Sequence, residues 1–411
     1  MKTKTYKNGL VLLYQKNKTS QADSFHVNVL TGSALETASQ YGINHLVEHL
    51  MFKSSYKRTT EQISEELEAQ GALINAWTNY DNVCFYFDCC PDNLSKCAEI
   101  YADMLFNKNM TQSEFEKEKS VVCQEIAMYK DLYDATNEDN YFEHFWDMKP
   151  VIGTTESVTN TTLKKVNNFI SRRYVPANMV ISVFSHLSFN KICKIVNEYY
   201  GKVQNPDNYL DLRSEWKSKK VFKRINNESV HKVKNKAAQV QVIHAFNLPK
   251  NTPTVNAFYR LLLSSGMNSV LFREIREKHG FCYSISADFV DLLQGKFNEN
   301  QNNVLLIRSS MEKQHLKPYL ETLPKVLNDL ETIITNNDKI RVINTQKTQG
   351  LKAHQYCYDM LFRYLNPDMP FNKKDMDKDM AYTAKNIQSL VFDQLNTFKG
   401  VKYEVAILGN I

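Results

Sequence analysis

The chain has 411 residues, 43% hydrophobic and 23% charged, with 51 basic and 45 acidic side chains for a net charge of +6. That length accommodates two domains with sizeable cores, and the composition is that of an ordinary globular protein. The small, interspersed charge excess excludes a nucleic-acid signature and no window approaches the roughly 20 apolar residues of a membrane span. The eight cysteines form no CxxC pair, which points to reduced thiols and a cytoplasmic protein.

At the amino terminus five apolar residues, Leu10 to Tyr14, follow the turn-forming Asn8-Gly9 and predict a first strand, too short for a signal-peptide core. Residues 24–31, SFHVNVLT, alternate like a half-buried strand. After the polar turn TASQYG comes NHLVEHLMF, residues 44–52, an apolar run holding two histidines and a glutamate. In a helix, His45 and His49 stand at i and i+4 on one face with Glu48 beside them. Two imidazoles so placed can grip one metal ion, and an adjacent carboxylate can take a proton from water that the ion acidifies. The alternative is a core helix with two hydrogen-bonded histidines.

TTEQISEELEAQG then predicts an amphipathic helix, with Thr59 and Gln62 as a capping box and Gly71 as its stop. LINAWTNYDNVCFYFDCC, aromatic and β-branched, predicts a two-stranded hairpin. Residues 92–107 have helical spacing, and residues 111–134 form a longer helix charged on one side. Further helices and the strand NMVISVF complete a first domain, 1–205. Asn205-Pro206-Asp207 and the basic run WKSKKVFKR, residues 216–224, mark a linker over 206–224 with a solvated face.

From residue 225 the same order begins again. A strand at 237–246 is followed by helices at 252–265 and 269–280, strands at 281–290 and 302–311, and a long helix at 316–334. FYFDCCPDNLSKCAEIYADML in the first half matches LLIRSSMEKQHLKPYLETLPKVL in the second by residue type. The prediction is an α+β fold of two tandem duplicated α/β-sandwich domains, 1–205 and 225–411. The second has no HxxEH, so a metal site belongs to the first alone.

A catalytic zinc needs a third protein ligand and an open position. The charged helix offers Glu114, Glu116, Glu118 and Glu125. Glu118 and Glu125, seven residues apart, fall within about 20° of each other on one helix face, which suits a ligand and a carboxylate supporting it.

HxxEH followed by this glutamate pair resembles the inverted zinc motif of the pitrilysin and mitochondrial processing peptidase family, the inverzincins. The resemblance implies His45, His49 and Glu125 as ligands of one Zn²⁺ per chain, Glu48 as the general base and Glu118 as the supporting carboxylate. It implies that Asn75 and Ala76, in LINAWTNYDNVCFYF, lie on a strand that pairs with an extended peptide substrate. SSGMNSVLFREIREKHGFCYSIS, residues 264–286, is similar to the family's C-domain signature, which implies that Arg276 and Tyr283 reach the substrate. Its opening SSGMNS carries a single glycine where many relatives have a cluster.

The implied function is a zinc metalloendopeptidase that cuts short unfolded or precursor peptides in a clam-shell chamber. The chamber would be closed by a homodimer, or by a heterodimer with a related subunit. A non-catalytic structural subunit of the same fold is the competing reading, and such subunits usually lack the complete metal set.

Overall fold

The computed structural model describes residues 1–18, 20–131, 133–146, 148–218, 224–248, 253–292, 303–349, 353–366 and 392–411. They divide into two compact units, each around its own apolar core. Among the described residues, no helix is long and apolar enough to cross a membrane.

The first unit is built on six strands: β1 (Lys2–Thr5), β2 (Val11–Lys16), β3 (Asp23–Val29), β4 (Leu73–Thr78), β5 (Val83–Cys89) and β6 (Met179–Ser185). Their order across the sheet is β1-β2-β6-β3-β5-β4. β2 and β6 run parallel and the other neighbours antiparallel. β1, which the apolar pattern did not reveal because all four of its residues are exposed, joins β2 through Gly9 at φ +84°. β4 is an edge strand. The helices that matter here are α1 (Ile43–Met51), α2 (Thr60–Ala69), α3 (Leu94–Phe106) and α4 (Gln112–Asp131).

The second unit repeats the plan with β7 (Val230–Lys234), β8 (Val240–Leu248), β9 (Ser284–Asp291), β10 (Asn303–Met311) and β11 (Tyr403–Gly409), in the order β7-β11-β8-β10-β9. Here β7 and β11 are the parallel pair. The first sheet minus its outermost strand has the same order and the same single parallel pairing, so the predicted duplication extends to topology.

Sequence order and unit membership differ in two places. Helix α5 (Tyr133–Trp146) belongs to the second unit. Its Asn137 donates to the Ala406 carbonyl, Tyr141 to Glu404, and Glu138 pairs with Arg308. Conversely, the helix Ala353–Leu365 lies in the first unit, where Tyr356 stacks on Phe184 and the Cys357 thiol approaches the Ser24 carbonyl. Within the stretch expected as a linker, Leu212–Ser218 is a helix of the first unit. Trp216 there donates to the Leu30 carbonyl and Arg213 to the carbonyls of Ala177 and Met179. Residues 219–223 of the basic run lie outside the described residues.

Candidate metal centre

Helix α1 folds because its apolar stripe has a core to enter. Ile43, Leu46, Val47, Leu50 and Met51 are all buried, at roughly 1.5–3 kcal/mol for each large side chain removed from water. Its amino terminus begins at Gly42 with φ +83°, where a Cβ would stand 2.7 Å from the Ile152 carbonyl oxygen. Glu36 does the capping, accepting from the Gly42 and Asn44 amides and from the Asn44 side chain. Burial raises the Glu36 carboxyl to about 7 despite those bonds and the nearby Arg173 charge. At the other end Lys108 donates to the carbonyls of Met51 and Lys53. Its ammonium is lowered to about 7 by burial, against the charges of Glu114 and Asp103.

The stripe left facing α4 carries the ionisable residues. His45 Nε2 lies 3.7 Å and His49 Nε2 3.3 Å from Glu125 Oε2. Ligands at about 2.05 Å from a tetrahedral zinc stand about 3.3 Å apart, so these atoms fit one ion. Their donor atoms all lie within 4.8 Å of one another, and among the described residues this is the one such set. Glu118 bonds His49 Nδ1 at 2.9 Å, which directs the Nε2 lone pair toward Glu125 and the shared point. Among the described residues His45 Nδ1 is buried without a hydrogen-bond partner, so no partner of that atom turns the Nε2 lone pair away from the shared point.

Without a cation the two imidazoles part company. Burial and the His49 charge lower His45 to about 4, against Glu125. Burial would lower His49 too, but its hydrogen bonds to Glu118 and Glu125 and their charges raise it to about 9. A cation at this point requires both rings neutral, so binding releases a proton. The His49 hydrogen bond, with the charges of both imidazoles, holds Glu125 below the usual carboxylate range. Burial opposes the same effect at Glu118, where bonds from His49 and Lys53 prevail. Glu48 is the exception: burial raises it, against the Thr78 hydrogen bond and the His49 charge.

The remaining predicted residues fall in two places. Asn75 and Ala76 lie on β4, with the Asn75 side-chain Oδ1 accepting from the Ala76 amide. Arg276 and Tyr283 meet on the second unit. The guanidinium lies 4.9 Å from the Tyr283 ring centre and 4.3 Å from that of Phe272, and Tyr283 is 80% exposed.

Four residues around the site were not anticipated. Lys53 pairs with Glu118 at 2.7 Å; it stands two residues past the end of α1, where helical spacing no longer fixes its direction. Thr78 donates to Glu48, and strand alternation places it on one face with Ile74 and Ala76. Glu36 and Lys108 carry no spacing signal, because each reaches α1 from a separate segment.

A duplicated sheet-and-helix architecture whose donor set joins two histidines of an HxxEH helix to a glutamate of a second helix defines a zinc metallopeptidase of the inverted-motif class. The sequence matches Insulinase (Peptidase family M16) over residues 11–157 and Peptidase M16 inactive domain over residues 160–344. The chain belongs to peptidase family M16. It is 26% identical over 368 residues to an uncharacterized zinc protease of Rickettsia felis, covering 85% of this chain and 82% of that one. To the uncharacterized zinc protease YmxG of Bacillus subtilis it is 26% identical over 292 residues, 69% of each chain. A protease from Helicobacter pylori shares the fold at TM-score 0.78 and 18% identity over 99% of both chains. The periplasmic protease PqqL of Escherichia coli does so at TM-score 0.68 and 16% identity, over 100% of this chain and 47% of PqqL.

Proposed function

We propose that this chain is a zinc endopeptidase acting on short, unfolded peptides. The observation that carries the reading is the meeting of His45, His49 and Glu125 at zinc-ligand spacing, with Glu48 beside them and an edge strand next to α1. When bound, zinc supplies Lewis-acid chemistry, acidifying water and polarising a peptide carbonyl. Glu48 takes the proton from the attacking water and delivers it to the leaving amine. Glu118 holds His49 in the coordinating tautomer. The free edge of β4, with Asn75 and Ala76, pairs with an extended peptide backbone, which selects chain conformation rather than sequence. Arg276 and Tyr283 reach the substrate from the second unit, the phenol donating to the developing oxyanion.

The test is digestion of a mixed peptide library by the purified protein with and without chelator, alongside a stably folded protein. Peptides are cut only with metal present, and the folded protein resists. Metal-independent cleavage, or efficient digestion of the folded protein, would contradict the proposal.

The same reading makes the working unit a dimer, its two chains closing one chamber. PqqL supports it, because this chain corresponds to 47% of that longer protein and two copies supply the equivalent length. Glu48→Gln and Tyr283→Phe homodimers are then nearly inactive, while exchanged heterodimers regain activity through one intact shared site. Confirmed exchange without recovery would exclude sharing. The eight free cysteines, six of them buried, support a reducing, cytoplasmic location.

A further inference from the structure

Glu48 projects from α1 on a side chain with three rotatable bonds, and a base must hold its carboxylate within hydrogen-bond reach of the proton it takes. Among the described residues, its carboxylate has one hydrogen-bond partner. Thr78 Oγ1 donates to Glu48 Oε2 at 2.5 Å. Thr78 is the last residue of β4, opposite Val83 of β5. Ile74 and Ala76, four and two positions before it on the same strand face, pack against the first unit's core. A β-branched side chain on a paired strand is stiff at χ1, so the backbone of β4 dictates where the hydroxyl points.

We infer that Thr78 is the positioning residue for Glu48, fixing the base to the strand on which the substrate pairs. The inference rests on the peptidase reading above and adds a residue that the HxxEH motif does not contain. One rigid strand then serves two purposes. Asn75 lies where the extended peptide is held, and Thr78, three residues along, sets the carboxylate that acts on it. The competing account is that the hydroxyl merely satisfies a half-buried carboxylate, with no consequence for the reaction beyond stability.

The experiment compares Thr78→Val, which keeps the shape and loses the donor, with Thr78→Ser, which keeps the donor. Each is measured for kcat and KM on a fluorogenic peptide, zinc content, Tm, and the carboxylate's place in a crystal structure of the zinc-loaded variant. Expected for Thr78→Val is a kcat about 10- to 100-fold lower, the range for groups that orient a metal site from outside it, with KM and zinc content unchanged and the carboxylate turned from its Thr78 position. Thr78→Ser restores most of kcat and the carboxylate's position. Wild-type kcat in Thr78→Val, equal impairment in both variants, or loss of zinc from Thr78→Val would overturn the inference. If Thr78→Val does not fold, Thr78→Ala takes its place under the same criteria. Wild-type protein that binds zinc yet cuts no peptide defeats the peptidase reading instead, and the carboxylate's position in the variant structures then decides this inference.

Discussion

The two units share a strand order and differ in what they mount on it. In the first, α1 sends Ile43, Leu46, Val47, Leu50 and Met51 into the core and turns His45 and His49 toward α4 and Glu48 toward Thr78 of β4. In the second, the helix Pro253–Ser264 buries Phe258, Tyr259, Leu262 and Leu263, and its sequence contains no histidine or carboxylate. The apolar stripe is what the sheet requires; the ionisable stripe is an addition made once. Removing the donors should therefore remove chemistry long before it removes the fold.

The largest effect belongs to the ligands. His45→Ala, His49→Ala and Glu125→Ala each lose both zinc and peptidase activity while circular dichroism stays native; stoichiometric zinc in all three would show that the wrong donors have been chosen. On the second unit, Tyr283→Phe keeps zinc and lowers kcat by about 10²- to 10³-fold, the range for one lost oxyanion donor. A loss of metal there would break the division of labour between the units. Glu118→Gln weakens zinc affinity about 10- to 100-fold without abolishing it, as chelator competition would register. Smallest is Gly42→Ala, which leaves the donors in place and destabilises the first unit. A left-handed backbone alone costs about 1–2 kcal/mol for an L-residue, and the approach to Ile152 adds to that. Urea denaturation checks it, and an unchanged midpoint would remove Gly42 from the account.

What the sequence made legible was local. The capping box at Thr59 and Gln62 forms with both reciprocal bonds, because both partners lie within one turn. The HxxEH spacing and the seven-residue interval of Glu118 and Glu125 are likewise properties of single helices, and helical geometry carried them into place. The trade of α5 and Ala353–Leu365 was not legible. An amphipathic pattern says that a helix needs a sheet to cover, not which sheet, and both sheets offer one. Thr78 and Lys108 were hidden for a related reason: each contact closes over a long sequence separation, and a threonine or a lysine in isolation looks like any other; Glu36 lies close in sequence to Gly42 and Asn44 but outside the helix, where no periodicity singles it out.

If a metal held by the first unit works together with Glu48 as its base, Glu48→Gln separates metal binding from catalysis. Zinc content and peptide cleavage are measured on the same preparation as the wild type. An amide keeps the shape of the side chain and cannot take the proton. The variant should hold one zinc per chain, as the wild type does, with cleavage reduced by about 10²- to 10⁴-fold, the range attributed to general acid–base catalysis. Wild-type turnover by zinc-loaded Glu48→Gln would contradict the account.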